Sequence, residues 1–120
     1  MKFFNLISFA LFLLITTACS ESNKSKVEYI ATGSNSDYNL QYKSADGELL
    51  EVVISPQSSS DEWSYSFVTD AGEIVYISGN YNDINSSLKI MILIDGKVFK
   101  QASSKADTLA YLTVSGTIPY

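Results

Sequence analysis

Few residues of this chain could do chemistry, and one type is missing: its 120 residues include no His. A nucleophilic Ser or Cys needs a neighbouring base that titrates near neutral pH, and His is the usual one. Its absence excludes Ser–His–Asp and Cys–His arrangements. Carboxylates remain. Asp61-Glu62 is an adjacent acid pair of the residue types that glycosidases employ, yet in a Ser-rich stretch it reads as solvated surface. Asn80-x-Asn82-Asp83-x-Asn85 gathers oxygen donors of the kind hard cations take. It lacks the central Gly and the bidentate Glu of an EF-hand loop, so it reads as a polar loop. Gly33, Gly47, Gly72, Gly79, Gly96 and Gly116 never reach a phosphate-cradling spacing and mark turns. No metal or cofactor is implied, and the chain is expected to be non-enzymatic.

One side chain keeps a definite chemistry. Cys19 is the only cysteine, and it closes the run LISFALFLLITTAC from Leu6 to Cys19. Lys2 supplies a positive start, Phe3 to Ile15 an apolar stretch, and Thr16, Thr17 and Ala18 the small residues that a signal peptidase needs. The apolar run is shorter than the roughly 20 residues of a spanning helix. Residues 1–18 are therefore read as a cleaved signal peptide. The segment before Cys19 is similar to a lipobox, with Thr16 where that pattern usually has Leu. Cleavage there would leave Cys19 at the new N-terminus, where a diacylglyceryl thioether and an acylated amine (palmitate-type chains) form a lasting membrane anchor. An unpaired thiol is unusual in an exported protein, and lipidation accounts for it. The expected location is the bacterial cell envelope. Ser20, rather than Asp, after the cysteine favours the outer membrane over the inner.

Removing the leader takes Lys2 from the 8 basic residues against 13 acids, so the mature side-chain balance is −6. Nucleic acid and anionic membrane surfaces both need clustered basic residues, so neither is an expected partner. No second cysteine is available for a disulfide, so aromatic residues must carry much of the burial in a domain this small.

The elements that would hold any site are strands. Residues 19–26 read as lipidated Cys and polar tether, and residues 27–120 as a β-domain. Val27-Tyr29-Ala31, Tyr38-Leu40-Tyr42, Leu50–Ile54, Trp63-Tyr65-Phe67, Ile74–Ile77, Leu88–Ile94 and Leu109–Ser115 show alternating or dense apolar patterns between turn residues. Leu88–Ile94 is apolar on both faces, as in a central strand. Asp95-Gly96 predicts a two-residue hairpin, with Ile92 opposite Phe99, Leu93 opposite Val98, and Lys97 and Lys100 pointing out. Gln57–Glu62, Asn80–Ser87 and Ser103–Thr108 read as polar loops. The expectation is an all-β, antiparallel, Ig-like β-sandwich of about seven to eight strands, with a closed barrel as the alternative.

VEYIATG, YNLQYKSADGE, the strand around Trp63, LKIMILIDGKVFKQASS and LAYLTVSGTIP follow one another in an order that resembles the MmpS-type envelope β-sandwich proteins. The resemblance rests on V-x-Y-x-x-x-G, the Asp-Gly after the second strand and the I-D-G-K-V hairpin. It implies an Ig-like fold and, in some members, an accessory role beside large lipid exporters. The chain departs from it in separating Pro56 from Trp63 and in having no cysteine pair near its end. The expected function is protein contact made by a lipid-anchored accessory module, and the resemblance implies that this contact is transport-associated. The alternative is a glycan- or lipid-binding surface lipoprotein that uses Trp63 and Tyr81. Half or more of Tyr29, Tyr38, Tyr42, Tyr65 and Tyr76 are expected in the core, with Tyr81 and Tyr120 exposed.

Overall fold

Alternating branched and aromatic side chains favour strands, because a strand buries every second residue. The computed structural model describes residues 24–104 and 111–120. They form β1 (Lys24–Thr32), β2 (Tyr38–Lys43), β3 (Leu49–Ile54), β4 (Glu62–Asp70), β5 (Ile74–Tyr81), β6 (Leu88–Ile94), β7 (Lys97–Ser104) and β8 (Tyr111–Thr117). Cys19, its leader and Leu109 lie outside the described residues. The strands make two four-stranded antiparallel sheets, ordered β4-β1-β6-β7 and β3-β2-β5-β8. The all-β antiparallel sandwich is what the chain builds. Its layering is that of Ig-like sandwiches, while the strand order is not the ABED/CFG arrangement of antibody domains.

Val27, Tyr29 and Ala31 of β1 and Leu88, Ile90 and Ile92 of β6 turn inward from the first sheet. Leu40 of β2, Val75 and Ile77 of β5, and Leu112 and Val114 of β8 meet them from the second. β6 lies inside its sheet, as its two apolar faces predict. Its outer residues Met91 and Leu93 flank β1, where Ile30 is buried although it faces away from the core.

β1 begins at Lys24, within the segment read as tether. Lys24, Ser25 and Lys26 pair with Asp70, Thr69 and Val68. The Lys26 N–H donates to Asp95 Oδ1 at 2.9 Å, and its carbonyl accepts the Asp95 N–H at 2.8 Å. Nothing apolar in those residues announces a strand; the neighbouring backbone recruits them.

The hairpin adopts positive φ at Asp95 (52°) and Gly96 (83°), as a two-residue turn requires. Leu93 pairs with Val98 as expected, but Ile92 pairs with Lys100 rather than Phe99. A bulge inserts Phe99 as the extra residue. Its ring lies against Gly116 of β8, where a Cβ would sit 2.7 Å from Phe99 Cε2. The bulge thus closes that side of the sandwich. Strands also run past their expected ends: β5 takes in Asn80 and Tyr81, and β7 reaches Ser104.

Opposite the bulge, aromatic rings fill the space between the sheets. Tyr29 lies 5.5 Å from Phe67 and 6.1 Å from Tyr65, and Tyr42 lies 4.9 Å from Tyr65 and 5.0 Å from Trp63. Each such pair is worth about 0.5–1.5 kcal/mol beyond the area it buries. Tyr29 is fully buried, and its hydroxyl donates to the Lys43 carbonyl at 2.8 Å and accepts the Tyr76 N–H at 3.3 Å. One phenol of the first sheet thereby holds two strands of the second.

Burial pushes the Tyr29 phenol up to about 12 from an ordinary 10.0, against the opposing effect of the Tyr76 N–H. The fold stabilises the neutral form. That contribution is complete below pH 10 and is lost as pH rises from 10 through 12. Tyr29→Phe is expected to cost about 1–3 kcal/mol at neutral pH, since it removes the partner of two part-buried backbone groups. Urea denaturation of both proteins should show that difference shrinking across the same alkaline window.

Candidate functional site

Because β1 enters at Lys24, the two ends of the sandwich are distinct. The entry end carries the Ser44–Glu48, Ala71–Glu73 and Asp95-Gly96 turns. The far end carries the three connections from β1 to β2, β3 to β4 and β5 to β6. All three are rich in Ser, Asn and Asp, residues that bond to nearby backbone and so shape loops. The Gly33 N–H donates to the Ser59 carbonyl at 3.2 Å, and the Ser87 hydroxyl donates to the Gly33 carbonyl. Ser34 and Ser86 share a buried hydroxyl bond of 3.0 Å. These contacts pin the loops to one another.

Next to this end, the outer face of the second sheet holds a cleft of about 480 Å³. Cross-strand register explains its lining. Val53, Asn39, Asn80 and Tyr111 stand in one row across β3, β2, β5 and β8. Glu51, Gln41 and Ser78 occupy the same strands in the next row. Asn39 Nδ2 donates to Asn80 Oδ1 at 3.0 Å, and Gln41 Nε2 reaches Glu51 Oε1 at 3.5 Å. Val53 is 65% exposed and Tyr111 is 51% exposed, so the carboxamides lie between two accessible apolar groups.

The free side of β3 is a second exposed feature. It is an edge strand, LLEVVI, whose Leu49 (57%) and Val53 stand open and whose only charge is Glu51. The β7 edge differs: it carries Lys97, Lys100 and the bulge, devices that discourage strand addition.

The residues singled out in the sequence disperse. Tyr81 is not exposed: only 3% of it is accessible, and its hydroxyl bonds Ser104 inside the core. Extending β5 to Tyr81 turns that ring inward beside Tyr38, which is its cross-strand partner. Trp63 faces the core, half-buried against Tyr42. The two therefore form no shared platform. Tyr120 is fully exposed, as expected, and Tyr29, Tyr38 and Tyr42 are buried. Burial, and behind it the charge of Asp61, hold the Tyr38 phenol above its ordinary value.

The Asn-rich loop also divides. Asn80 belongs to β5 and bonds Asn39, while Asp83 Oδ1 accepts the Asn85 N–H at 2.9 Å to shape the turn. Among the described residues no three His, Cys, Asp or Glu side chains cluster as metal ligands would. Asp61 turns into its own loop, its Oδ2 accepting the Gln57 N–H at 2.7 Å, and Glu62 opens β4 opposite Thr32. Sequence reading missed Asn39, Gln41 and Tyr111. Their signal is the polar half of the strand alternation, which looks like any solvated face until the register aligns it.

Compared with known proteins, the chain matches no family model and no curated protein.

A structural role for Tyr81 has a direct consequence. Ser104→Ala is expected to cost about 1–3 kcal/mol by leaving a buried phenol unpaired, and adding Tyr81→Phe should restore most of that loss. Thermal melts of the two variants check it; an unchanged melt for Ser104→Ala would remove the role.

Proposed function

We propose that this chain is a lipid-anchored β-sandwich of the bacterial envelope that works without catalysis, through contact with a protein partner. The free edge of β3 supports this reading best. An unpaired strand presents a row of N–H and C=O groups that an extended segment of another chain can satisfy, with side-chain pockets adding specificity. The exposed Leu49, Leu50 and Val53 supply apolar area beside that row. An accessory role beside a transporter is the form of contact that the MmpS-type resemblance implies; fold likeness alone assigns no such role.

The anchor is Cys19, and outer-membrane placement follows from Ser20. β1 starts at Lys24. Five peptide steps separate that residue from Cys19, a reach of at most about 18 Å. Lipid at Cys19 would therefore hold the entry end near the bilayer and turn the Ser-rich far end away from it.

Two measurements test the proposal. The intact mass of the chain purified from membranes should exceed that of the peptide starting at Cys19 by a diacylglyceryl group and an acyl chain. Cys19→Ser should release the chain from the membrane fraction. An unmodified thiol on Cys19 ends the lipoprotein reading.

For the contact, a photo-crosslinking residue at Leu50 in the native envelope should yield a discrete adduct, and one at Lys89, on the other sheet, should not. Leu49→Lys should abolish the adduct while changing stability by no more than about 0.5 kcal/mol. Equal, diffuse labelling from Leu50 and Lys89 would reject β3 as the contact edge.

A further inference from the structure

We propose that the cleft across the outer face of the second sheet binds a neutral oligosaccharide. This goes beyond the contact made at β3 and does not depend on it. The lining decides the ligand class. Asn39, Gln41 and Asn80 bring three carboxamides, Ser78 a hydroxyl and Glu51 a carboxylate. Carboxamides and hydroxyls both donate and accept, and Glu51 adds acceptors. Sugar hydroxyls, which also do both, can be matched in pairs by such a surface. The Asn39–Asn80 bond holds those two side chains in place and leaves the Asn80 amide hydrogens free to donate. The Gln41–Glu51 contact, at 3.5 Å, is long enough to yield to a ligand hydroxyl.

Tyr111 completes the pattern. Its half-exposed ring stands at one end of the Val53–Asn39–Asn80–Tyr111 row and offers an apolar face with a polar tip. The C–H face of a pyranose ring can stack there while its hydroxyls turn toward the amides. Val53 gives a smaller apolar contact at the other end. Three strand spacings separate the ends, about 14 Å, which suits a short run of sugars rather than one.

Charge removes the alternatives. No Lys lines the cleft among the described residues, Glu51 does, and the mature chain carries an excess of acids. Phosphate, sulfated glycans and uronic-acid polymers would be repelled. An apolar ligand would leave the amides without partners, at a cost for each. The site also lies at the far end, where the sheet rather than a loop sets its geometry.

The test uses the full chain, purified from membranes in a zwitterionic detergent so that no sugar headgroup competes. Chitohexaose, cellohexaose and maltohexaose are titrated by calorimetry, with a hexauronate as the anionic control. At least one neutral probe should bind and the control should not. Tyr111→Ala and Asn80→Ala should each weaken binding about fivefold to tenfold, whereas Tyr111→Phe should retain it. Trp63 fluorescence confirms that each variant is folded. Binding to none of the neutral probes at millimolar concentration overturns the proposal, and so does preference for the hexauronate or indifference to the Tyr111→Ala and Asn80→Ala changes. Leu49→Lys leaves the cleft untouched, so loss of the β3 contact and loss of sugar binding are separate results.

Discussion

A single buried hydroxyl sets the terms for this fold. Tyr29 projects from the middle of the first sheet into the second, where its buried hydroxyl takes up one part-buried carbonyl and one part-buried N–H. A buried backbone group without a partner is costly, so the two sheets have one favourable relative position. The rings around Tyr29 reinforce it: Tyr42, Tyr65, Phe67 and Trp63 pack edge and face against one another between the sheets. A chain without a disulfide in this domain gains a specific alignment from aromatic volume and one phenol.

That alignment makes the sandwich asymmetric. One side closes where Phe99, displaced by a bulge, lies on Gly116. The other side is held by the aromatic group and leaves β3 as an uncovered edge. Exposed apolar edges invite pairing with other chains, and LLEVVI at an edge is the feature on which the proposed contact rests. The same strand also lines the amide-rich cleft, so the edge and the cleft are two faces of one element.

Position along the sandwich adds to this. The chain enters at Lys24, and its polar loops gather at the opposite end, tied by Ser34, Ser86 and Ser87. Were Cys19 to carry lipid, as proposed, these features would fall into an order from the membrane outward: turns, core, then cleft and loops. Rigid strands hold the cleft side chains and short hydrogen bonds hold the loops, so neither surface has to be ordered when a ligand arrives. Less conformational entropy is then lost on binding.

Period-two patterns named most strands, Asp-Gly chemistry named the Asp95-Gly96 turn, and apolar residues on both faces named the central place of β6, because those follow from local backbone preference and side-chain pattern. The charge balance and the lack of His likewise set limits on chemistry that any fold would have to respect. Other features depended on residues far apart in the chain. The pairing of Lys24–Lys26, the Phe99 bulge and the inward turn of Tyr81 are each decided by what lies across the sheet or across the core. The cleft is the clearest case. Asn39, Gln41, Asn80 and Tyr111 sit on three strands, each an ordinary outward-facing polar or aromatic residue by itself, and only antiparallel register sets them side by side. Local alternation determined which residues of a strand share a face; the long-range pairing of strands decided which face turns in at the strand ends and which residues meet across the sheet.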